Sequence, residues 1–328
     1  MSGPAKARNC GQGLGALLTR RNFALGAIAA GWAGRAFARP ASRTIRVVGY
    51  NDMDEMMAAL VAAYRRHDPA SEFVLDLKST RSAPPALLSG AADLAPMGAE
   101  MEPPDQLAIA RRWGREPAVF ALAHASLEPR ALSSPTGFYV AEQNPLREIR
   151  IDQLARIFGA ATPGTWGELG GDRAAPLHLY GLDETTAISR FLQRKLGIAA
   201  GFPREMRRFF QSRDAAAAMA LDPLALGFAN LNHARPGLRA LALVDAQGRR
   251  WAPDLATVRA GDYPLDRFLL LYARRQGDGG IEPGLARFIA FALSDKGQAI
   301  VASGTKGYLP LSRSERRRER QNIMLSRV

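Results

Sequence analysis

Three turns, each between a predicted strand and a predicted helix, carry small polar side chains. They lie at residues 49–52, 79–82 and 183–186 of the 328-residue sequence. In an open α/β sheet, ligands bind beyond the carboxyl ends of the strands, where helix N-termini direct N–H groups outward and favour an anion. Taken alone, each turn is better explained as an ordinary helix N-cap, but three together favour an anion site. The proposed contacts are Asn51, Ser79, Thr80, Arg81, Ser82, Thr185 and Thr186.

Residues that could support catalysis do not form a recognisable motif. The sequence contains no G-x-S-x-G nucleophile elbow, no H-E-x-x-H pair and no Walker A loop. Asp183 and Glu184 could act as a carboxylate pair, but adjacent side chains seldom face one point, so capping is the better interpretation. The four histidines are expected to be structural or solvated, and one cysteine excludes a disulfide framework. We therefore expect no enzymatic activity, no cofactor and no metal site.

The formal net charge is +13, from 44 Lys and Arg against 31 Asp and Glu. Taken alone, such a charge suggests a polyanionic partner. Five basic residues and no acid lie in the first 38 positions, and the last 16 carry +4, so residues 39–312 retain only +4. The sequence shows no basic stripe interleaved with aromatic residues and no zinc-finger or RNA-binding signature. Nucleic acid is therefore not the expected partner.

Residues 1–38 have the pattern of an export signal. Arg20 and Arg21 precede an apolar run at 23–32 that is too short to span a bilayer. Ala36 and Ala38 then form a small-x-small cleavage site. The arginine pair resembles the twin-arginine signal, so we expect export to the periplasm and cleavage after Ala38. A disordered basic terminus or a signal anchor is the alternative.

The rest of the chain alternates short runs typical of strands with segments of helical periodicity. Such alternation implies right-handed crossovers and mostly parallel sheets, so the predicted class is α/β. The predicted strands span 44–49, 72–77, 93–97, 138–140, 177–180, 225–230, 238–244 and 265–273, and the predicted helices 52–66, 84–88, 103–113, 151–158, 186–196, 213–221, 283–293 and 295–303.

Several short motifs follow one another in a specific order between residues 44 and 311. Residues 165–169 read T-W-G-E-L, residues 225–228 read A-L-G-F, and residues 177–184 combine a strand with a polar turn. This order resembles the periplasmic phosphate-binding proteins of bacterial ABC transporters, which have T-W-G-D-L and A-I-G-Y at two of these positions. The other matching segments are 144–146, 151–158, 263–265, 293–298 and 307–311.

The resemblance implies a type II periplasmic-binding-protein fold, in which two α/β lobes joined by two hinge crossovers close on a ligand. Lobe 1 would comprise residues 39–136 and 240–312, lobe 2 residues 137–239, and residues 313–328 a basic tail that is a solvated helix or frayed end. Each lobe would contain a mostly parallel sheet flanked by helices. Helix N-termini, hydroxyls, an arginine and an aspartate would hold the anion, and an ABC permease or an envelope sensor would read the closed form.

The loops with which the family holds phosphate differ in this chain. Leu182 stands at the family's arginine, Ala187 at a glycine that lets the backbone approach the anion, and Gly98 at its aspartate. Asp52 would place a negative charge near the site. These departures predict a shifted or relaxed ligand specificity, with Arg81 partly replacing the missing cation. The family's loops add four candidate ligand-binding residues: Tyr50, Asp52, Met97 and Asp183.

The sequence therefore predicts an extracytoplasmic solute-binding protein that captures a small anion between its lobes, for ABC-type uptake or for sensing. The alternative is a protein–protein interaction or sensor module on the same fold with a degenerate ligand site, which the altered loops and the basic tail favour. An enzyme ranks third. An enclosed cleft lined by Arg81 and hydroxyls would favour solute binding, and a filled cleft would favour the interaction module.

Overall fold

The computed structural model describes residues 44–277 and 279–325, and the predicted export signal at 1–38 lies outside them. Continuous apolar runs such as Leu94–Met97 and Ala225–Asn230 form central strands because both of their faces are buried. The strands are β1 (Thr44–Gly49), β2 (Glu72–Leu77), β3 (Leu94–Met97), β4 (Ala118–His124), β5 (Thr136–Ala141), β6 (Glu148–Arg150), β7 (His178–Leu182), β8 (Arg207–Phe209), β9 (Ala225–Asn230), β10 (Leu238–Ala240), β11 (Ala242–Val244), β12 (Arg250–Trp251), β13 (Phe268–Ala273) and β14 (Leu309–Pro310).

Several helices begin at a residue whose side chain accepts a free N–H of the first turn, as Asp254, Glu282 and Ser294 do. None of the described helices is long and apolar enough to cross a membrane. The helices are α1 (Asp54–Arg65), α2 (Ala83–Ser89), α3 (Pro103–Trp113), α4 (Ile151–Gly159), α5 (Ala187–Leu196), α6 (Ser212–Met219), α7 (Leu255–Ala260), α8 (Pro283–Ala292), α9 (Asp295–Ser303) and α10 (Arg313–Leu325).

Six strands form the sheet of lobe 1, in the order β14-β4-β13-β3-β1-β2. Strand β1 is parallel to β2 and β3, whereas β13 is antiparallel to β3 and β4. The sheet is therefore mixed, because β13 enters the lobe from the opposite direction after the chain has built lobe 2. Its core contains Met57 and Leu60 of α1 together with Phe120, Leu271 and Phe288.

Five strands form the larger sheet of lobe 2, in the order β10-β5-β9-β7-β8. Strand β7 is parallel to β8 and β9, and β5 is antiparallel to β9 and β10. Leu243 of a small sheet, β12-β11-β6, shares a core with Phe138, Phe158 and Phe228. The prediction of two α/β lobes is confirmed, with mixed rather than mostly parallel sheets.

The segment 241–265 packs with the core of lobe 2, although residues 240–312 are predicted from the sequence to belong to lobe 1. This packing favours a boundary at the second crossover, since the apolar side chains of the segment are buried against β5, β9 and their neighbours. The buried side chains are Leu241, Leu243, Val258, Tyr263 and Leu265.

Two crossovers connect the lobes and run side by side. The N–H of Ala125 donates to the carbonyl of Arg267 at 2.7 Å, and the N–H of Thr136 donates to the carbonyl of Leu265 at 3.0 Å. The hydroxyl of Tyr263 also donates to the carbonyl of Thr136 at 3.0 Å. These bonds hold Arg267 at the place where the lobes meet.

Ion pairs also join the loop after β3 to helix α5 of lobe 2. Glu100 lies 2.6 Å from Arg194, and Glu102 lies 3.5 Å from Arg190. All four side chains are partly exposed, so each pair contributes only about 0–1 kcal/mol. Pairs of this strength can break and reform when the lobes move.

Helix α10 packs on lobe 1 through its acidic and apolar side chains. Glu315 and Ile323 are buried, and Glu315 accepts a hydrogen bond from the hydroxyl of Ser312 at 2.7 Å. The exposed arginines lie on the solvent-facing side of the helix. In the described part of the basic tail, one side of the helix therefore contacts lobe 1 and the other side carries positive charge. These arginines are Arg313, Arg317, Arg318 and Arg320.

Candidate functional site

A cleft with a volume of ≈ 520 Å³ is lined by residues of both lobes and of the crossovers. Lobe 1 and the crossovers contribute Tyr50, Thr80 and Arg267, and lobe 2 contributes the first residues of α5 and α6. A second cavity, of ≈ 390 Å³, lies within lobe 2 against Trp166 and Leu224, and its described lining contains no cation. The cleft is therefore the better candidate for a ligand site, because polar groups from separate elements converge on it.

Arg267 is the central charged group of the cleft. Its side chain is buried, and its Nη2 donates to the carbonyl of Gly98 at 2.9 Å. The ring centroid of Phe191 lies 5.9 Å from the guanidinium carbon. Within the described chain, Arg267 forms no ion pair: Asp266 accepts only its backbone N–H, at 2.7 Å, and directs its other carboxylate oxygen to His124.

Burial lowers the pKa of Arg267, because desolvation disfavours its charged form. Arginine nevertheless keeps its charge in proteins, so the cleft contains a buried cation in need of a partner. Arg267 is not among the site residues that the sequence predicts. A single arginine at the start of an apolar strand has no distinctive spacing, and only the second crossover brings it to the loops of lobe 1.

Hydroxyl groups lie around Gly98, whose carbonyl accepts the hydrogen bond from Arg267. The Oγ of Ser133 donates to the carbonyl of Gly98 at 3.4 Å and lies 3.2 Å from the hydroxyl of Tyr50. The N–H of Gly98 donates to Oγ1 of Thr80 at 3.4 Å. Burial raises the pKa of Tyr50 to about 12, so this phenol remains a neutral donor at physiological pH.

Gly98 is required here because the ring of Tyr50 occupies the space of a side chain. A Cβ on Gly98 would lie 2.3 Å from Cε1 of that ring.

We expect Gly98→Ala to lower the free energy of unfolding by about 1–3 kcal/mol, as overpacking does, and by less when Tyr50→Ala removes the ring. Urea unfolding of both single variants and the double variant measures this coupling. An equal loss in the two backgrounds would contradict the contact.

The turn at 183–186 caps helix α5. Oδ1 of Asp183 accepts the backbone N–H of Thr185 at 2.9 Å and its hydroxyl at 2.5 Å, and these bonds lower the pKa of Asp183. The hydroxyl of Thr186 donates to the carbonyl of Asp183 at 2.7 Å and accepts the N–H of Ser189 at 3.3 Å. The polar groups of this turn are thus engaged in capping α5, and Thr186 also lines the cleft.

Two helices of lobe 2 begin at the cleft, where Ala187 of α5 and Ser212 and Arg213 of α6 line it. A helix N-terminus carries a partial positive charge, and Arg213 adds an exposed cation. None of the described residues that line the cleft is Asp or Glu. The potential inside the cleft is therefore positive, as an anion requires.

Asp52 is not one of the residues that line the cleft, although its charge acts on Tyr50, which does line it. Its carboxylate accepts the backbone N–H of Leu132 at 2.8 Å and the hydroxyl of Tyr308, and it lies 3.1 Å from Nζ of Lys306. Burial raises the pKa of Tyr308, which remains a neutral donor. Asp52 therefore joins the start of α1 to a crossover and to the segment before β14.

Other predicted residues lie outside the lining of the cleft. The hydroxyl of Ser82 donates to the carbonyl of Ser79 at 2.7 Å and stabilises the turn before α2. Arg81 and Asn51 are exposed, and Met97 is buried in a small core beneath α2 and α3. Three residues of the predicted set line the cleft: Tyr50, Thr80 and Thr186.

No family model matches the chain. The chain is 24% identical over 281 residues to the phosphate-binding protein PstS of Pseudomonas aeruginosa, over 82% of this chain and 84% of that protein. PstS from Borrelia burgdorferi superposes with a TM-score of 0.58 at 16% identity, covering 82% of this chain and 99% of that one. A high-affinity periplasmic phosphate-binding protein, PfluDING, superposes with a TM-score of 0.50 at 11% identity, covering 85% and 93%.

These similarities extend over most of the described chain and confirm the resemblance inferred from the order of the motifs. The relatives are binding proteins rather than enzymes, in line with the expectation from the sequence. Sequence similarity identifies a common origin, and the superpositions identify a common architecture. The chain is thus a distant homologue of the PstS phosphate-binding proteins and has the two-lobed fold of type II periplasmic binding proteins.

Proposed function

We propose that this protein is an extracytoplasmic solute-binding protein that captures a small anion in the cleft between its lobes. The observation that carries the proposal is the burial of Arg267 without an ion-pair partner in the described chain. A buried charge that lacks a partner costs several kcal/mol. An anion that enters the cleft would supply the missing charge.

The anion would bind to groups of both lobes. The guanidinium of Arg267 has five N–H donors, and one of its nitrogens already donates to Gly98. Tyr50 and Ser133 add hydroxyls from lobe 1, and the first turns of α5 and α6 add the positive ends of their helix dipoles from lobe 2. Since the ligand gains contacts from both sides, its binding would favour the closed arrangement of the lobes.

Export to the periplasm completes this proposal. Arg20 and Arg21 support the twin-arginine route, and Ala36 and Ala38 support cleavage after residue 38. PfluDING, which shares the fold, is a periplasmic protein bound with phosphate. An ABC permease or an envelope sensor would recognise the closed, anion-loaded form.

We expect isothermal titration of the purified protein to detect one binding site for at least one anion among phosphate, sulfate, molybdate, phosphonates and small carboxylates. At a ligand concentration of about 100 times the Kd, the bound anion should stabilise the protein by about 2.7 kcal/mol, measured as a rise in Tm. Sodium chloride at equal ionic strength is the control. If no anion gives either heat or a Tm shift beyond this control, the proposal is wrong.

A further inference from the structure

The cleft has an apolar part as well as a cationic part. Phe210 and Leu132 line it with 73% and 58% of their surfaces exposed, and the half-buried Ile188 lines it as well. Exposed apolar side chains grouped beside polar ones are typical of ligand-binding grooves. An inorganic oxyanion has no surface that would cover them.

The size of the cleft favours a ligand larger than an inorganic oxyanion. A water molecule accounts for about 30 Å³ in the liquid, so the cleft volume of ≈ 520 Å³ corresponds to many water molecules. Sites for organic ligands have volumes of roughly 300–1,000 Å³. Closure of the lobes would reduce the volume, but it would still leave the apolar side chains in contact with whatever the cleft holds.

The charge of the cleft favours a singly charged group at its buried end. Among the described residues that line it, Arg267 is the one buried cation, and Arg213 is exposed with Asp214 at 3.6 Å. One guanidinium balances one negative charge, and its planar fork can form two parallel hydrogen bonds to a carboxylate.

We propose, building on the anion-binding function above, that the ligand is an organic anion. Its single carboxylate group binds at Arg267, and its apolar body lies against Phe210 and Leu132. Inorganic phosphate is at most a weak ligand of this cleft.

A series of carboxylates tests this inference. Isothermal titration of the purified protein with acetate, butyrate and hexanoate, alongside inorganic phosphate, compares affinity with the length of the apolar body. Each additional methylene that becomes buried should tighten binding about fourfold.

Substitution of Phe210 separates the effect of the apolar side chains of the cleft from the effect of the Arg267 charge. Phe210→Ser should weaken hexanoate binding by about tenfold and leave acetate unchanged, because only the longer ligand reaches the ring. Leu221→Ser is the matched control, since Leu221 is 86% exposed and lies outside the lining of the cleft. This control should bind every ligand like the wild type.

The outcomes distinguish this inference from the proposed function. If inorganic phosphate binds more tightly than every carboxylate and Phe210→Ser changes nothing, the inference is wrong, while anion capture stands. If no anion binds, the proposed function fails and the inference fails with it. A rise in affinity with chain length that Phe210→Ser removes supports both.

Discussion

Replacing Arg267 with methionine is expected to weaken anion binding strongly while leaving the folded protein as stable as the wild type, or more stable. The side chain is buried and forms no ion pair within the described chain. An apolar side chain of similar volume in place of a buried charge is often neutral or stabilising, by about 1–4 kcal/mol. Loss of one partner of a buried charge pair weakens binding by about 2–5 kcal/mol.

This opposite effect on binding and stability distinguishes a ligand-binding arginine from a structural one. Isothermal titration measures the loss of affinity, and urea unfolding without ligand measures the change in stability. Arg81→Met is the matched control, because Arg81 is the exposed arginine of the second predicted loop and lies outside the cleft lining. It should change neither quantity by more than about 0.5 kcal/mol. Retained binding combined with a large loss of stability in Arg267→Met would show that Arg267 is structural.

Replacing His124 with glutamine is expected to lower the free energy of unfolding by about 3–5 kcal/mol, because two buried carboxylates lose the cation between them. The imidazole is fully buried, with Nδ1 2.6 Å from Oδ2 of Asp266 and Nε2 3.1 Å from Oε2 of Glu315. These contacts join β4 to the second crossover and to α10. Urea unfolding of the variant and the wild type at pH 6 measures the loss.

The pH dependence of stability follows from the same cluster. Although burial opposes the charged form, the two carboxylates raise the pKa of His124 from 6.5 to about 9, so its contribution is complete below pH 6.5 and is lost as the pH rises through about 9. Likewise, His124 and Ser312 outweigh burial and lower the pKa of Glu315 from 4.5 to about 2, so its contribution is present above pH 4.5 and is lost as the pH falls through about 2. Burial raises the pKa of Asp266, so this group favours the folded state only at acid pH and opposes it at neutral pH.

The difference in unfolding free energy between wild type and His124→Gln should therefore be large at pH 6 and shrink above about pH 9. Asp295→Asn is the control, since its ion pair with Arg316 of α10, at 2.6 Å, involves a carboxylate that is 92% exposed. That variant should leave stability nearly unchanged at every pH, because an exposed ion pair contributes little. A difference for His124→Gln that stays constant from pH 6 to pH 10 would exclude a charged His124.

Some helices and strands could be predicted at the correct residues because local periodicity determines them. Helix α9 spans the predicted residues 295–303, and strand β9 spans the predicted residues 225–230. Their boundaries depend on neighbouring residues alone: Ser294 caps the helix, and both faces of the strand are apolar. The mixed direction of the sheets could not be predicted in this way, because it depends on where β13 and β5 enter their sheets.

Part of the candidate site could also be predicted from local sequence. Tyr50, Thr80 and Thr186 follow predicted strands, and residues at that position converge on one edge of an open α/β sheet. The structure leaves Arg81 and Asp52 outside the cleft, the first in solvent and the second paired with Lys306. Which polar residue of a loop faces the ligand depends on packing against other elements, and local spacing does not contain that information.

Local sequence is enough to show that this chain is an α/β protein with capped turns at the ends of its strands, because strand and helix periodicity and capping act within a few residues. The positions of the charges depend on tertiary contacts. The second crossover brings Arg267 beside Gly98, far from it in sequence, and the burial of Glu315 against His124 places Glu315 on the inner side of α10 and Arg313, Arg317, Arg318 and Arg320 in solvent. Burial and long-range contacts determine whether a charge is paired, and both exist only after the chain has folded.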